Sequence, residues 1–224
     1  MPHARGRRLV GVTVQVALSP TLEVVLASSS KARARLLTDA GLKIRTHRPD
    51  VDEDTIMNES LASGSTLEEA LTAIAIAKAM TVTDDGSPKL VIAADSTLRF
   101  EGEVMGKPDG RTDIAERWAR LRGKTGELIT AHALRSLPVG STVTGVEHSL
   151  VHFAAISQSE IDAYAKTAEP LMAAGAFTLE RLGSAFISRI EGSASNVQGL
   201  SLPLLRELTK TQGIEWVSLW RDVD

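Results

Sequence analysis

The chain has 224 residues, 43% of them hydrophobic and 24% charged, with no cysteine and a formal net charge of −3. This composition is that of an ordinary globular domain able to bury a sizeable core, and the slight negative balance excludes a global attraction for nucleic acid. Without cysteine there is no disulfide framework, thiol nucleophile or thiolate metal site. That suits a reducing compartment and predicts a cytoplasmic protein with neither nucleic acid nor membrane as partner.

Met1 to Pro20 starts with Arg5, Arg7 and Arg8, and its apolar stretch is interrupted by Gly11, Thr13 and Gln15. It falls short of the ~20 residues that span a membrane. It reads as an N-terminal extension, followed by a single domain over residues 21–224. The first predicted strand, Leu22 to Ala27, enters the serine cluster Ser28, Ser29 and Ser30, and a helix follows from Ala32 to Ala40, with Gly41 in the helix-ending place. A short strand around Ile44 leads through Pro49 to the acidic stretch Asp50 to Asp54, predicted as part of a loop. Thr66 and Glu69 have the spacing of a capping box and open a helix to about Met80. Lys89 to Ala94 has no polar alternation, so it predicts a fully buried strand with Asp95 at its end.

Glu101-Gly102 predicts a hairpin turn, and a helix runs after Pro108 through Trp118 and Leu121. Beyond a loop marked by Gly123 and Gly126, strands are predicted near Ile129 to Leu134 and from Thr142 to Phe153. Ser157 and Glu160 open another capped helix. The last third predicts a strand from Ala185 to Ile190, a loop from Gly192 to Gly199, a helix carrying Leu204, Leu205 and Leu208, and a strand from Trp216 to Trp220. The alternation gives an α/β class with a mixed sheet.

Three constellations can carry chemistry. Free N–H groups and hydroxyls at Ser28 to Ser30, before a helix, suit a phosphate. Lys31 and Arg33 face the positive end of that helix, a placement costing roughly 0.3–1 kcal/mol each unless an anion sits between them. The alternative is a capped helix with solvated charges. Second, Asp95 and the acidic stretch supply oxygen ligands suited to Mg²⁺ or Mn²⁺, at a strand end where open α/β sheets bind ligands. A turn-capping aspartate and a solvated acidic loop are the alternative. Third, Lys78 continues the helical series Leu67, Leu71, Ile74, so its head either snorkels to solvent or enters a polar cavity. Lys107, between Gly106 and Pro108, has the same ambiguity.

Other chemistries fail on spacing. Gly123-Lys124-Thr125 ends like a P-loop, but Trp118 stands where its first glycine belongs. His148 and His152 lie about 13 Å apart if both sit in one strand, so they form no helical zinc pair. No G-x-S-x-G elbow occurs to support a serine hydrolase.

Five segments occur in register: LASSS at Leu26 to Ser30, DVDE at Asp50 to Glu53, AADS at Ala93 to Ser96, GEVMGKP at Gly102 to Pro108, and IEGSASNVQGLSLPLL at Ile190 to Leu205. Together they resemble the Maf family of nucleotide pyrophosphatases. The resemblance implies an elongated α/β fold with a central cleft. It also implies hydrolysis of a nucleoside triphosphate to monophosphate and pyrophosphate with a divalent metal, and a homodimer. By position, Asp95 resembles the family's proton acceptor, Ser28, Arg33, Lys78 and Lys107 its phosphate-binding residues, and Glu53 its acidic metal-site residue beside Asp95. Asn196 falls in a further recurring motif.

Departures bear on the base. Where the family usually reads S-P-R-R, this chain has Ser30-Lys31-Ala32-Arg33. Ser96 replaces the threonine of members acting on dTTP and UTP, and Glu180 replaces their glutamine. A glutamate there resembles the branch hydrolysing 7-methyl-GTP, yet that branch carries tryptophan at Ala32 and glutamine at Ser96. Neither set is complete, and the base preference stays open. The rival reading is a catalytically weakened nucleotide-binding regulator of cell division, with Ala32 and Ser96 as signs of decay.

Overall fold

The computed structural model describes residues 22–221, so the expected extension Met1 to Pro20 lies outside the described residues. Among the described residues, seven strands form one mixed sheet. They are β1 (Glu23–Ala27), β2 (Ile44–His47), β3 (Lys89–Phe100), β4 (Glu103–Met105), β5 (Thr125–Leu137), β6 (Thr142–Phe153) and β7 (Ile187–Glu191). Their order is β2-β1-β3-β5-β6-β7, with β4 also on β3. β1 pairs in parallel with β2 and β3, and the remaining pairs are antiparallel.

Among the described residues, seven α-helices flank the sheet: α1 (Lys31–Asp39), α2 (Glu53–Ala62), α3 (Leu67–Met80), α4 (Arg111–Leu121), α5 (Gln158–Ala165), α6 (Ala194–Val197) and α7 (Leu202–Thr211). Side-chain alternation assigns the layers. Val25, Val91, Ala93, Ile129 and Ala131 pack with Leu71, Ala75 and Ala79 of α3. On the opposite face Leu26, Leu90, Ile92 and Leu134 pack with Leu37 of α1 and Leu205 and Leu208 of α7. Lys89 to Ala94 is therefore apolar without alternation because both faces of that half of β3 are covered.

Farther along β3, Leu98 and Phe100 join a separate aromatic core with Trp118 of α4, Phe153, Tyr164 of α5 and Phe177. Trp118 meets Phe153, Tyr164 and Phe186 edge-on at 5.5, 5.5 and 5.7 Å, pairs worth about 0.5–1.5 kcal/mol each beyond area burial. Its indole N–H, fully buried, donates to the Ala176 carbonyl at 2.9 Å. The two cores on this face part at Ser96 on β3 and Thr130 on β5, whose hydroxyls bond each other at 2.9 Å.

The structure corrects several boundaries. β3 does not end at Asp95, because β5 pairs with it continuously from Lys89 to Arg99. What ends there is a neighbour: β1 pairs only as far as Ile92, and β4 takes up the same edge from Leu98. Between them, among the described residues, the edge of β3 has no strand partner, and Asp95 sits in that gap. The acidic stretch is not all loop, since α2 begins at Glu53 with Asp52 as N-cap accepting the Thr55 N–H at 3.0 Å. Helix α2 buries no side chain, so no apolar period marks it in the sequence.

Gly126 lies inside β5 rather than in the loop. Ala185 and Phe186 belong to a 3₁₀ turn, Leu182–Phe186, ahead of β7. The Gly192 to Gly199 segment contains the one-turn helix α6, capped by Ser193. Trp216 to Trp220 is not a strand: Trp216–Leu219 is a 3₁₀ turn, and Trp220 makes a single bridge to Leu42. Both expected capping boxes, at Thr66 and at Ser157, are formed.

Candidate active site

The gap in the sheet gathers side chains from both faces. On the α3 face, Lys78 follows the apolar stripe inward instead of snorkelling, and its side chain is 5% exposed. Its ammonium lies 2.7 Å from Asp95 Oδ1 and 2.8 Å from Glu53 Oε1. Glu53 reaches this point because it is the first residue of α2, and α2 packs on α3. Burial alone would push the Glu53 carboxyl up, but the hydrogen bond and charge of Lys78, then the charges of Lys107 and Arg33, hold it below its ordinary value.

On the other face, the loop after β1 supplies Ser28, which is buried. Its hydroxyl accepts the Ser30 N–H at 3.1 Å and an Arg33 N–H at 3.4 Å. Ser30 caps α1 by accepting the Arg33 backbone N–H at 3.3 Å. The Arg33 side chain then turns into the gap, donating to Ser96 Oγ at 2.9 Å and to the Gly199 carbonyl at 2.7 Å. Burial pulls its guanidinium below the ordinary value, while the charges of Asp95 and Glu53 push back. Arg33 therefore has structural partners and is not a solvated charge.

A further layer has no role assigned from the sequence, although Asn196 falls in the recurring motif. Gly199 adopts φ +97°, and a Cβ there would lie 3.3 Å from Arg33 Nε, so both backbone and space favour glycine. Asn196, fully buried, donates to the carbonyls of Leu128 and Glu147 and to Ser149 Oγ. His132, also fully buried, accepts the Ser201 N–H at 2.8 Å. Burial first, and then the charge of Arg33, depress the His132 imidazole to about 4. The alternation of Thr130 and His132 with Ile129, Ala131 and Ala133 is the one sequence signal for this polar stripe.

Lys107 is exposed, and its charge is felt at Glu53. Arg117 of α4 steadies its loop, donating to the Gly106 carbonyl at 2.6 Å and to the Lys107 carbonyl at 3.4 Å. Glu180 is half-buried in the bend after Phe177, and the hydrogen bonds of Arg33 and Lys78 do not reach it. A shallow basic cavity of about 270 Å³ opens beside Ser28, Ser29 and Ser30 and is lined also by Lys31 and Arg48.

Chemically, the gap sets two carboxylates around one buried cation position, with a guanidinium at the adjoining strand end. Among the described residues no group of three or more His, Cys, Asp or Glu side chains gathers for a metal. The Glu53 and Asp95 pair still fits a hard divalent cation, because Mg²⁺ is commonly held by one or two carboxylates plus substrate phosphates.

Among curated proteins, the "Nucleoside triphosphate pyrophosphatase" of Corynebacterium efficiens is 40% identical over 200 residues, covering 89% of this chain and 99% of that protein. The protein so named from Salinispora tropica is 41% identical over 204 residues, covering 89% and 88%, and that from Cyanothece sp. is 40% identical over 200 residues, covering 89% and 100%. A crystal structure of a "Nucleoside-triphosphatase / dITP/XTP pyrophosphatase" from Mycobacterium abscessus aligns at TM-score 0.36 and 16% identity over 84% of this chain and 98% of that one. That likeness is too loose to carry an argument. The description "Maf-like protein" matches residues 23–212, and the chain belongs to the Maf-like protein family.

Proposed function

We propose that this chain hydrolyses a nucleoside triphosphate between the α- and β-phosphates, releasing monophosphate and pyrophosphate. The observation that carries the reading is the convergence of Glu53, Lys78 and Asp95 at the gap in β3, with Arg33 close enough to feel the charges of both acids. The names of the relatives support the same reaction.

In this reading Arg33, Lys78 and Lys107 neutralise the triphosphate oxygens, and the serine loop supplies N–H and hydroxyl donors at the start of α1. Asp95 orients a water against the α-phosphorus and takes its proton. Pyrophosphate then departs with its developing charge compensated by the same cations. A bound Mg²⁺ or Mn²⁺, held by Glu53 and Asp95, would supply further charge neutralisation at the phosphates. Bringing the carboxylates to that use requires the Lys78 ammonium to turn from them toward the phosphates. Catalysis is then positioning and charge compensation, with no covalent intermediate.

Glu180 is read as the base-recognising residue and Ser96 as the holder of Arg33. A carboxylate at Glu180 accepts donors from a guanine edge or a methylated, positively charged purine. Cytoplasmic location and a homodimer belong to the same proposal. Among the described residues no helix is long and apolar enough to cross a membrane.

The test is a panel of canonical and modified nucleoside triphosphates with Mg²⁺ or Mn²⁺, reading pyrophosphate, together with Asp95→Asn. The variant is expected to bind nucleotide and lose turnover by about 10²-fold or more. Near-normal pyrophosphate release from it would remove Asp95 from the role. Nucleotide binding without any turnover in the wild-type protein would favour the regulator instead.

A further inference from the structure

Glu169 takes no part in the reaction above, yet its carboxylate is 4% exposed and accepts four hydrogen bonds. Oε1 receives Thr178 Oγ1–H at 2.6 Å, the Gly183 N–H at 2.9 Å and the Tyr164 hydroxyl at 3.1 Å. Oε2 receives the Leu182 N–H at 3.1 Å and faces Arg181 Nε at 3.4 Å. Burial would push this carboxyl up, and the bonds from Thr178, Gly183, Leu182 and Tyr164 outweigh it, so the group is held charged. The packing is close: a Cβ on Gly183 would stand 2.5 Å from Tyr164 Oη.

These partners bracket Glu180. Thr178 lies two residues before it, and Arg181, Leu182 and Gly183 follow directly, so one carboxylate ties both ends of the bend that presents it. Gly175, three residues before Thr178, donates its N–H to the Gly106 carbonyl at 3.1 Å, next to Lys107, so the stretch leading into the bend is tied to the Lys107 loop. Side chain chemistry explains the need for an acid. Both carboxylate oxygens face N–H or O–H donors, and an amide in this place would turn its NH₂ against a donor in either orientation.

We propose that Glu169 is a positioning residue for base selection, fixing the 178–183 segment and the placement of Glu180 at the nucleotide site. The proposal rests on the reading of Glu180 as the residue that meets the base. It predicts that Glu169 sets discrimination among nucleoside triphosphates through KM, with little effect on the chemical step.

The experiment compares wild type, Glu169→Gln, Glu169→Asp, Glu180→Gln and the double variant Glu169→Gln/Glu180→Gln in kcat and KM over the nucleotide panel. Amide hydrogen exchange of Leu182 and Gly183 is measured alongside. Glu169→Gln is expected to speed exchange at both amides by about 10-fold or more, as loss of charge-assisted hydrogen bonds predicts. Selectivity between the best and next-best base should fall about 5-fold or more through KM, with the double variant no less selective than Glu180→Gln alone. Glu169→Asp should recover part of the loss. Should Glu169→Gln not fold, Thr178→Val removes one donor and is expected to show the same change in smaller measure. Unchanged selectivity in Glu169→Gln beside altered selectivity in Glu180→Gln overturns the proposal and spares the reading of Glu180. Altered selectivity in Glu169→Gln with none in Glu180→Gln supports the positioning of the segment and sinks Glu180 as the base reader. Strictly additive effects in the double variant overturn the link between the two.

Discussion

Lys78 occupies a position that the series Leu67, Leu71, Ile74 reserves for a core side chain, and the sequence leaves two outcomes for a lysine there. The structure selects the inward one because two carboxylates wait at the end of its stem. Removing one partner of a buried pair strands the remaining charge, and Glu53 and Asp95 then also repel each other. Lys78→Met should therefore lose about 3 kcal/mol of stability in urea titration, the low end for a broken buried pair because Glu53 is partly exposed, with turnover gone. Adding Asp95→Asn to it should restore part of the stability while turnover stays absent. An undiminished unfolding free energy in Lys78→Met would show that the ammonium is not holding the acids together.

At the scale of elements, the strands and capped helices were legible wherever an apolar period or a cap spacing marked them. Lys89 to Ala94, α3 and both capping boxes fall in this class. The misses share a physical cause. Helix α2 exposes every side chain to some degree and so has no period to read, and Trp216 to Trp220 is apolar but turns as a 3₁₀ element. Asp95 lies beside a strand end for a reason the sequence does not show, because the strand that stops there is β1 and not its own β3. Contacts between distant segments, such as Gly199 with Arg33, leave no local trace.

Loop placement by helix α4 gives a prediction of its own. Arg117 is braced by Asp113 at 2.7 Å while it holds the carbonyls of Gly106 and Lys107. Arg117→Ala frees the Lys107 loop without touching Glu53 or Asp95. It should raise KM for the triphosphate about 10-fold, the worth of one or two charge-assisted hydrogen bonds, with kcat changed less. A fall in kcat at constant KM would mean that α4 acts on the chemistry and not on the loop.

Over the whole molecule, two apolar cores share one face of the sheet and part at a polar stripe of Ser96, Thr130 and His132. This seam lies beside the gap in β3, so the fold concentrates its buried polar groups where the site is. The arrangement makes stability depend on pH. His132 is held neutral, its folded value near 4 against an ordinary 6.5. Between those values the unfolded chain binds the extra proton, so stability rises with pH. The contribution is complete above pH 6.5 and is lost as pH falls through 4, amounting to something on the order of 3 kcal/mol. His132→Gln keeps an acceptor for the Ser201 N–H and removes the titration. Its unfolding free energy should decline less between pH 6.5 and 4 than that of wild type. Equal declines would place the acid sensitivity elsewhere.

The proposed reaction requires water to attack the α-phosphorus at the Asp95 gap. Turnover of a nucleoside triphosphate in H₂¹⁸O, with the products resolved by mass, tests this directly. The account predicts the label in the monophosphate and unlabelled pyrophosphate. Label in pyrophosphate, or release of labelled inorganic phosphate with a nucleoside diphosphate, would contradict it.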